Sequence, residues 1–248
     1  MIFVQNEEKT LIFDKNKTFS RNEINFANYS QITHSLLKVI IIKYNAGNVQ
    51  SVMYALERIG ASYELSDDPE VIRSAERIIF PGVGEASTAM RSLRENGLDK
   101  IIPTLKQPFL GTCVGMQLLC KSSEENNTEC LGIFDVPILK FPRVKGFKVP
   151  QTGWNEILPH SPEASIALTH DGRTKEFTTQ LCKGLKLSEY VYYNHGYYAP
   201  LCEFTVAKTD YILEYSAMLQ RENFFAAQFH SEISGDVGEK IFRNFLEI

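Results

Sequence analysis

Apolar positions along this chain change their rhythm twice. From Lys38 to about residue 120, short continuous apolar runs alternate with segments of helical period. Val39-Ile40-Ile41-Ile42 is apolar at every position, as a strand buried on both faces requires, because neither side of its pleat meets water. After the turn Tyr44-Asn45-Ala46-Gly47, Asn48 can cap a helix whose apolar face is Val49, Val52, Met53, Leu56 and Ile59, and Gly60 suits its stop. Tyr63-Glu64-Leu65 reads as a weak second strand. Asp68-Pro69 reads as cap and first turn of a helix through about Ala75. Arg77-Ile78-Ile79-Phe80 is a third strand and ends in Pro81-Gly82-Val83-Gly84. Helical segments follow near 86–95 and 98–105, and Phe109-Leu110 leads a strand into Gly111-Thr112-Cys113-Val114-Gly115.

From about 130 to 215 the apolar runs are short and broken by Pro and Gly. Phe147-Lys148-Val149, Glu189-Tyr190-Val191-Tyr192-Tyr193 and Phe204-Thr205-Val206-Ala207 look like antiparallel or mixed strands. A last strand, Phe224 to Phe229, runs into His230, and a helix spans about Val237 to Leu246. Residues 1–37 are polar, rich in Asn and Lys, and hold no sustained period. The pattern predicts an α/β fold: an open mixed, mostly parallel sheet with flanking helices, plus a smaller antiparallel strand segment. Residues 38–248 would form that domain, and 1–37 an N-terminal extension of unknown role.

Composition narrows the partners. Of 248 residues, 44% are hydrophobic and 23% charged, near the globular average. The net charge is −4, from 26 basic and 30 acidic residues, which argues against nucleic acid as a partner. No apolar run approaches the ~20 residues of a membrane span, and no signal peptide is visible at the N-terminus. Five cysteines without a CxxC pair argue against a disulfide framework or a metal cluster, and for a reducing, cytoplasmic setting.

The sharpest local chemistry lies at Gly111-Thr112-Cys113-Val114-Gly115. A strand ending in Gly-x-nucleophile-x-Gly and turning at once into a helix is a nucleophile elbow, here with Cys113 in place of serine. A short motif of this kind serves equally as a buried cysteine in a tight turn. A second element is His230-Ser231-Glu232. On an extended segment, residues two apart point the same way, so Glu232 could orient His230 as general base and acid; the plainer reading is a strand-end histidine beside a surface carboxylate. Third, the loop at Gly82 and Val83 ends a parallel strand, where ligands bind in such sheets. Its backbone can offer an N–H to a developing oxyanion, with the N–H of Val114 as second donor. Alone it is an ordinary glycine-rich turn.

Together and in this order, PGVG, GTCVGMQLL and QFHSE resemble the class I (triad) glutamine amidotransferases, a flavodoxin-like α/β fold. The segments Gly47-Asn48 with Ser51-Val52, Val149 to Asn155, and Tyr193 to Tyr198 narrow the likeness to the glutaminase subunits of imidazole glycerol phosphate synthase, over about residues 38–248. The resemblance implies that Cys113 attacks the side-chain amide of L-glutamine to form a glutamyl thioester, with His230 as proton carrier and Glu232 as its orienter. It implies that Gln117 and Glu125 hold the amino-acid end of glutamine, with Gly115 and the backbone of Gly196 and Tyr197 completing the pocket. No cofactor or metal is implied. The family delivers ammonia to a (βα)8-barrel cyclase of the HisF type, which turns the ribulosyl intermediate PRFAR into imidazole glycerol phosphate and AICAR in histidine biosynthesis. Asn48, Pro150, Gln151 and Trp154 fall on partner-facing motifs, and a peptide flip at Gly82–Val83 is a sufficient on–off switch.

Several positions depart from the family pattern. Ser231 stands for a proline between the histidine and glutamate. Gly196 stands for a hydroxyl residue. Lys43 to Ala46 is less acidic than usual, and Thr152 replaces a methionine. None touches Cys113, His230 or Glu232. Two other readings remain: a paralogue feeding a cyclase-like partner in surface-sugar synthesis, and a non-catalytic module that kept the fold.

Overall fold

A computed structural model of the chain describes residues 2–6, 9–13, 37–44, 49–160, 167–168, 175–177 and 179–248. The expected cap at Asn48, and its place on a partner-facing edge, lie outside these residues. Near the N-terminus, β1 (Ile2–Asn6) and β2 (Lys9–Phe13) pair antiparallel as a separate two-stranded sheet.

The apolar run Val39–Ile42 forms β3 with all four residues buried. Val39 and Ile41 enter one core layer and Ile40 and Ile42 the other, which is why the run shows no alternation. Helix α1 (Val49–Arg58) buries Val52, Ala55 and Leu56. It is followed by β4 (Tyr63–Ser66), α2 (Pro69–Arg73, capped by Asp68) and β5 (Arg77–Phe80). Next come α3 (Ala86–Glu95) and α4 (Leu98–Ile101). The expected helix at 98–105 continues only as a 3-10 turn, Ile102–Thr104, because Pro103 cannot donate the hydrogen bond that an α-helix needs there.

Strand β6 (Phe109–Thr112) leads through Cys113 into α5 (Val114–Leu119). A small four-stranded sheet follows, of β7 (Cys120–Ser123), β8 (Thr128–Glu129) and β9 (Phe134–Lys140), completed beside β9 by the later strand Tyr197–Tyr198. Strand β10 (Gln151–Pro159), the short pair β11 (Ala167–Leu168) and β12 (Lys175–Glu176), and β13 (Glu189–His195) come next. Then β14 (Tyr197–Tyr198), β15 (Thr205–Tyr211), β16 (Leu213–Arg221), β17 (Phe224–Ala227) and α6 (Gly235–Glu247) complete the described elements.

The main sheet has nine strands in the order β13-β10-β15-β16-β17-β6-β5-β3-β4. Strands β17, β6, β5, β3 and β4 pair parallel. The antiparallel strands, expected as a smaller segment, extend that same sheet past β17. This brings the C-terminal end of β17, and hence His230, beside the C-terminal end of β6, and hence Cys113.

Two local expectations differ. Phe147-Lys148-Val149 is not a strand; pairing begins at Gln151 and runs to Pro159. Only Gln151 and Ile157 of β10 are buried and Gly153 has φ +127°, so the strand carries no period-two apolar signal. The last strand stops at Ala227 rather than Phe229, although Gln228 and Phe229 stay buried.

Candidate active site

Cys113 sits at the β6–α5 junction with φ 52° and ψ −112°, a conformation that L-residues avoid and that functional turns retain. Close approach explains its glycines. A Cβ on Gly115 would lie 2.0 Å from the Phe80 carbonyl oxygen, and one on Gly111 2.7 Å from Cδ1 of Leu119. A Cβ on Gly82 would lie 2.2 Å from the Gly115 nitrogen, so the loop after β5 rests directly on the elbow. The Cys113 N–H donates to the Ala227 carbonyl at 2.8 Å, tying the elbow to β17.

Beyond β17, the backbone turns into a 3-10 element, Ser231–Ile233, not the extended run that a two-residue step suggests. The turn still delivers the pair: His230 Nδ1 lies 2.7 Å from Glu232 Oε1, and both side chains are buried. Burial alone would lower the His230 imidazole. The negative charge of Cys113 and the hydrogen bonds to Cys113 and Glu232 outweigh burial and raise it to about 11. His230 is therefore held protonated between two acidic partners.

The Val114 N–H, one expected oxyanion donor, points at the Gly82 carbonyl 3.4 Å away. The loop that carries Val83 is also pinned by Tyr44, whose hydroxyl donates to the Pro81 carbonyl at 2.6 Å. No motif in the sequence marks Tyr44; its ring lies against Phe80 with centroids 5.3 Å apart.

A cavity of about 420 Å³ opens over Cys113 and His230 and is lined also by Val83, Gln117, Glu125, Gly196 and Tyr197. Gln117 is buried rather than on an exposed helix face. Its Nε2 donates to the Tyr197 carbonyl at 3.2 Å and to Gln228 Oε1 at 3.1 Å. Both amide hydrogens are thus used, and Oε1 is the atom Gln117 can turn to a ligand. Glu125 is half-buried at the cavity wall rather than in a solvated loop, and accepts from the Ala86 N–H at 2.7 Å, capping α3 from a distant segment. Burial raises its carboxyl, the Ala86 bond opposes this and Glu85 adds to it. Gly115, expected to complete the pocket, lies with its backbone against Gly82 and is not among the residues that line the cavity. Gly196 has open space, with Cγ1 of Val149 nearest to an added Cβ at 3.7 Å, so no steric demand excludes the usual hydroxyl residue there.

Of the partner-facing expectations, Pro150 is exposed and Trp154 is 56% exposed, lying edge-on to Tyr192. Gln151 differs. Its side chain is 2% exposed and accepts from the Tyr215 hydroxyl at 2.9 Å. Gln151 and Trp154 are three residues apart on one strand and must point to opposite faces, so only the second offers its side chain outward.

Sequence reasoning assigns no role to three polar residues of this region: Gln228, His195 and Tyr215. Gln228 Nε2 lies 4.0 Å from Cys113 Sγ. Gln228 opens the QFHSE segment and His195 lies within Tyr193 to Tyr198, but neither spacing shows what the side chain meets, and Tyr215 lies in no such segment. Of the other cysteines, burial pushes the thiols of Cys120 and Cys182 up, and that of Cys130 to about 12, as inert structural thiols require. Among the described residues no cluster of His, Cys, Asp or Glu is placed to hold a metal ion, and no helix is long and apolar enough to cross a membrane.

The family model "Glutamine amidotransferase class-I" matches residues 28–248. The imidazole glycerol phosphate synthase subunit HisH of Bacteroides fragilis is 49% identical over 86% of this chain and 100% of its own length. That of Shewanella loihica is 39% identical over 84% of this chain and 90% of its own. Among solved structures, a putative GMP synthase component from Thermoplasma acidophilum matches with a TM-score of 0.62 at 17% identity, over 85% of this chain and 92% of its own. The PurLQS structure from Thermotoga maritima matches at 0.59 and 18%, over 85% and 98%; these two likenesses speak to the fold alone. The chain belongs to the class-I glutamine amidotransferases, in the family of the HisH subunits of imidazole glycerol phosphate synthase.

Proposed function

We propose that residues 38–248 hydrolyse L-glutamine to glutamate and ammonia, as the glutaminase subunit of an imidazole glycerol phosphate synthase, with 1–37 as an extension outside that unit. Cys113 as thiolate adds to the side-chain amide carbon. The carbonyl oxygen takes the negative charge and is met by backbone N–H groups of Val114 and the Gly82–Val83 loop. His230 gives its proton to the departing nitrogen, ammonia leaves, and a glutamyl thioester remains. His230, now neutral, takes a proton from water, whose oxygen attacks the thioester. Glutamate departs and the thiolate returns. Glu232 keeps the imidazole oriented throughout. Gln117 through Oε1 and Glu125 through its carboxylate suit the α-ammonium of the substrate.

The observation that carries this reading is the buried set at one point of the sheet. His230 is hydrogen-bonded to Glu232 and feels the charge of Cys113, over a cavity that both line and that has room for an amino acid. Ammonia would pass to a (βα)8-barrel cyclase of the HisF type, docked against the face that bears Pro150 and Trp154. An exposed tryptophan on an open strand fits an interface anchor.

The test mixes the chain with its genomic cyclase and measures glutamate release with PRFAR present or absent. Strong stimulation by PRFAR is expected. Stimulation by a sugar-derived intermediate instead would assign the chain to the surface-sugar branch, and no release under any condition would contradict the glutaminase reading.

A further inference from the structure

Behind the cavity, a file of buried polar side chains crosses from the strand that bears Trp154 to the expected nucleophile. The Tyr215 hydroxyl donates to Gln151 Oε1 at 2.9 Å and lies 3.3 Å from His195 Nε2. His195 Nδ1 lies 2.7 Å from the Tyr197 carbonyl. That carbonyl also accepts from Gln117, which bonds Gln228, which reaches Cys113. Gln151, Tyr215, His195, Gln117 and Gln228 are all buried. A buried polar chain of this kind is costly unless each member is satisfied, and each satisfied member fixes the next.

We infer that His195 and Tyr215 are positioning residues that set the wall of the glutamine pocket and link it to the strand of Gln151. The inference rests on the glutaminase reading above. Neither residue touches the reacting atoms. Burial lowers the His195 imidazole to about 4, against the Tyr197 bond and with the His230 charge adding to burial, so the ring is neutral and its Nδ1 hydrogen goes to the Tyr197 carbonyl. Its Nε2 then needs a donor.

The Tyr215 hydroxyl has one hydrogen and faces two acceptors, His195 Nε2 and Gln151 Oε1. Meanwhile Gln151 Nε2 is buried without a partner among the described residues. The Tyr215 hydroxyl thus stands between the Gln151 amide and the imidazole that supports the Tyr197 carbonyl, and its one hydrogen joins the strand of Gln151 to the pocket wall.

The experiment uses the complex with its cyclase and measures KM and kcat for glutamine in Tyr215→Phe, His195→Gln and His195→Asn, with Cys113→Ala alongside. Tyr215→Phe keeps the ring and removes the relay hydroxyl. His195→Asn keeps a donor near the Nδ1 position, and His195→Gln moves it to the Nε2 side. KM should rise about fivefold or more in Tyr215→Phe and His195→Gln, the effect of one lost neutral hydrogen bond, with kcat changing less. His195→Asn should recover most of the loss. If KM and kcat stay at wild-type values in Tyr215→Phe and His195→Gln while Cys113→Ala is inactive, the relay is wrong and the glutaminase reading stands. If Cys113→Ala turns over glutamine normally, the reading itself fails and the relay with it. Should Tyr215→Phe not fold, the contrast between the Asn and Gln variants decides: equal KM values overturn the proposal.

Discussion

The Val114 backbone N–H and the Gly82 carbonyl face one another across 3.4 Å, directly over the elbow. A donor engaged by a neutral carbonyl is not free for an oxyanion. The chain alone is thus expected to release glutamate slowly, by about 100-fold or more below the activated complex, the usual effect of a missing oxyanion donor. Stimulation requires the Gly82 peptide to turn. Glutamate release by the isolated chain, set against the complex with cyclase and its ligand, checks this. Equal rates would show that the Gly82 carbonyl does not gate the site.

His230 should keep its proton far above the ordinary histidine range, since its value is raised to about 11 against the opposing effect of burial, chiefly through Cys113 and then Glu232. Imidazole nitrogen chemical shifts followed from pH 6 to 11 would show a cation over most of that window. The sign for variants follows from the causes. Removing the negative neighbour in Cys113→Ala lowers the pKa, and Glu232→Gln lowers it less. A His230 that titrates at about 6.5 in the unsubstituted protein would contradict the ion pair.

Glycines at the elbow separate shape from chemistry. Gly115→Ala places a methyl 2.0 Å from the Phe80 carbonyl oxygen, and either the loop or the elbow must move. We expect a loss of stability of about 3 kcal/mol or more and loss of glutamine-dependent activity. Gly196→Ala meets nothing nearer than 3.7 Å and should leave the melting temperature within about 2 °C of wild type. Thermal melts of both variants check the contrast.

Glu125→Gln should raise KM for glutamine by about tenfold or more, as loss of one charge-assisted hydrogen bond does, with a smaller effect on kcat. Burial raises the Glu125 carboxyl above the usual carboxylate range, so its negative charge is lost earlier as pH falls. KM for glutamine should accordingly climb on acidification at a higher pH than an exposed carboxylate would give, and Glu125→Gln should remove that climb. A KM profile identical in both proteins would sink the assignment.

Local chemistry is legible in the chain wherever neighbours in sequence carry it. The glycines around Cys113 and the two-residue step from His230 to Glu232 lead to one cluster, although the second is made by a 3-10 turn and not by an extended strand. What stays hidden depends on contacts between distant segments. Gln117 and Gln228 are 111 residues apart, and His195 and Tyr215 meet only because β13 and β16 come to lie in one sheet. Strand β10 gives no alternation because most of its side chains are half-buried or exposed. The motif around Trp154 suggests that Gln151 faces a partner too, but the strand's own geometry turns it inward.

The most direct measurement is turnover of the complex with Cys113→Ala, supplied with glutamine or with ammonium salt. The account predicts no product from glutamine and undiminished product from ammonia, because only the glutaminase half is removed. Full glutamine-dependent turnover by Cys113→Ala would contradict it.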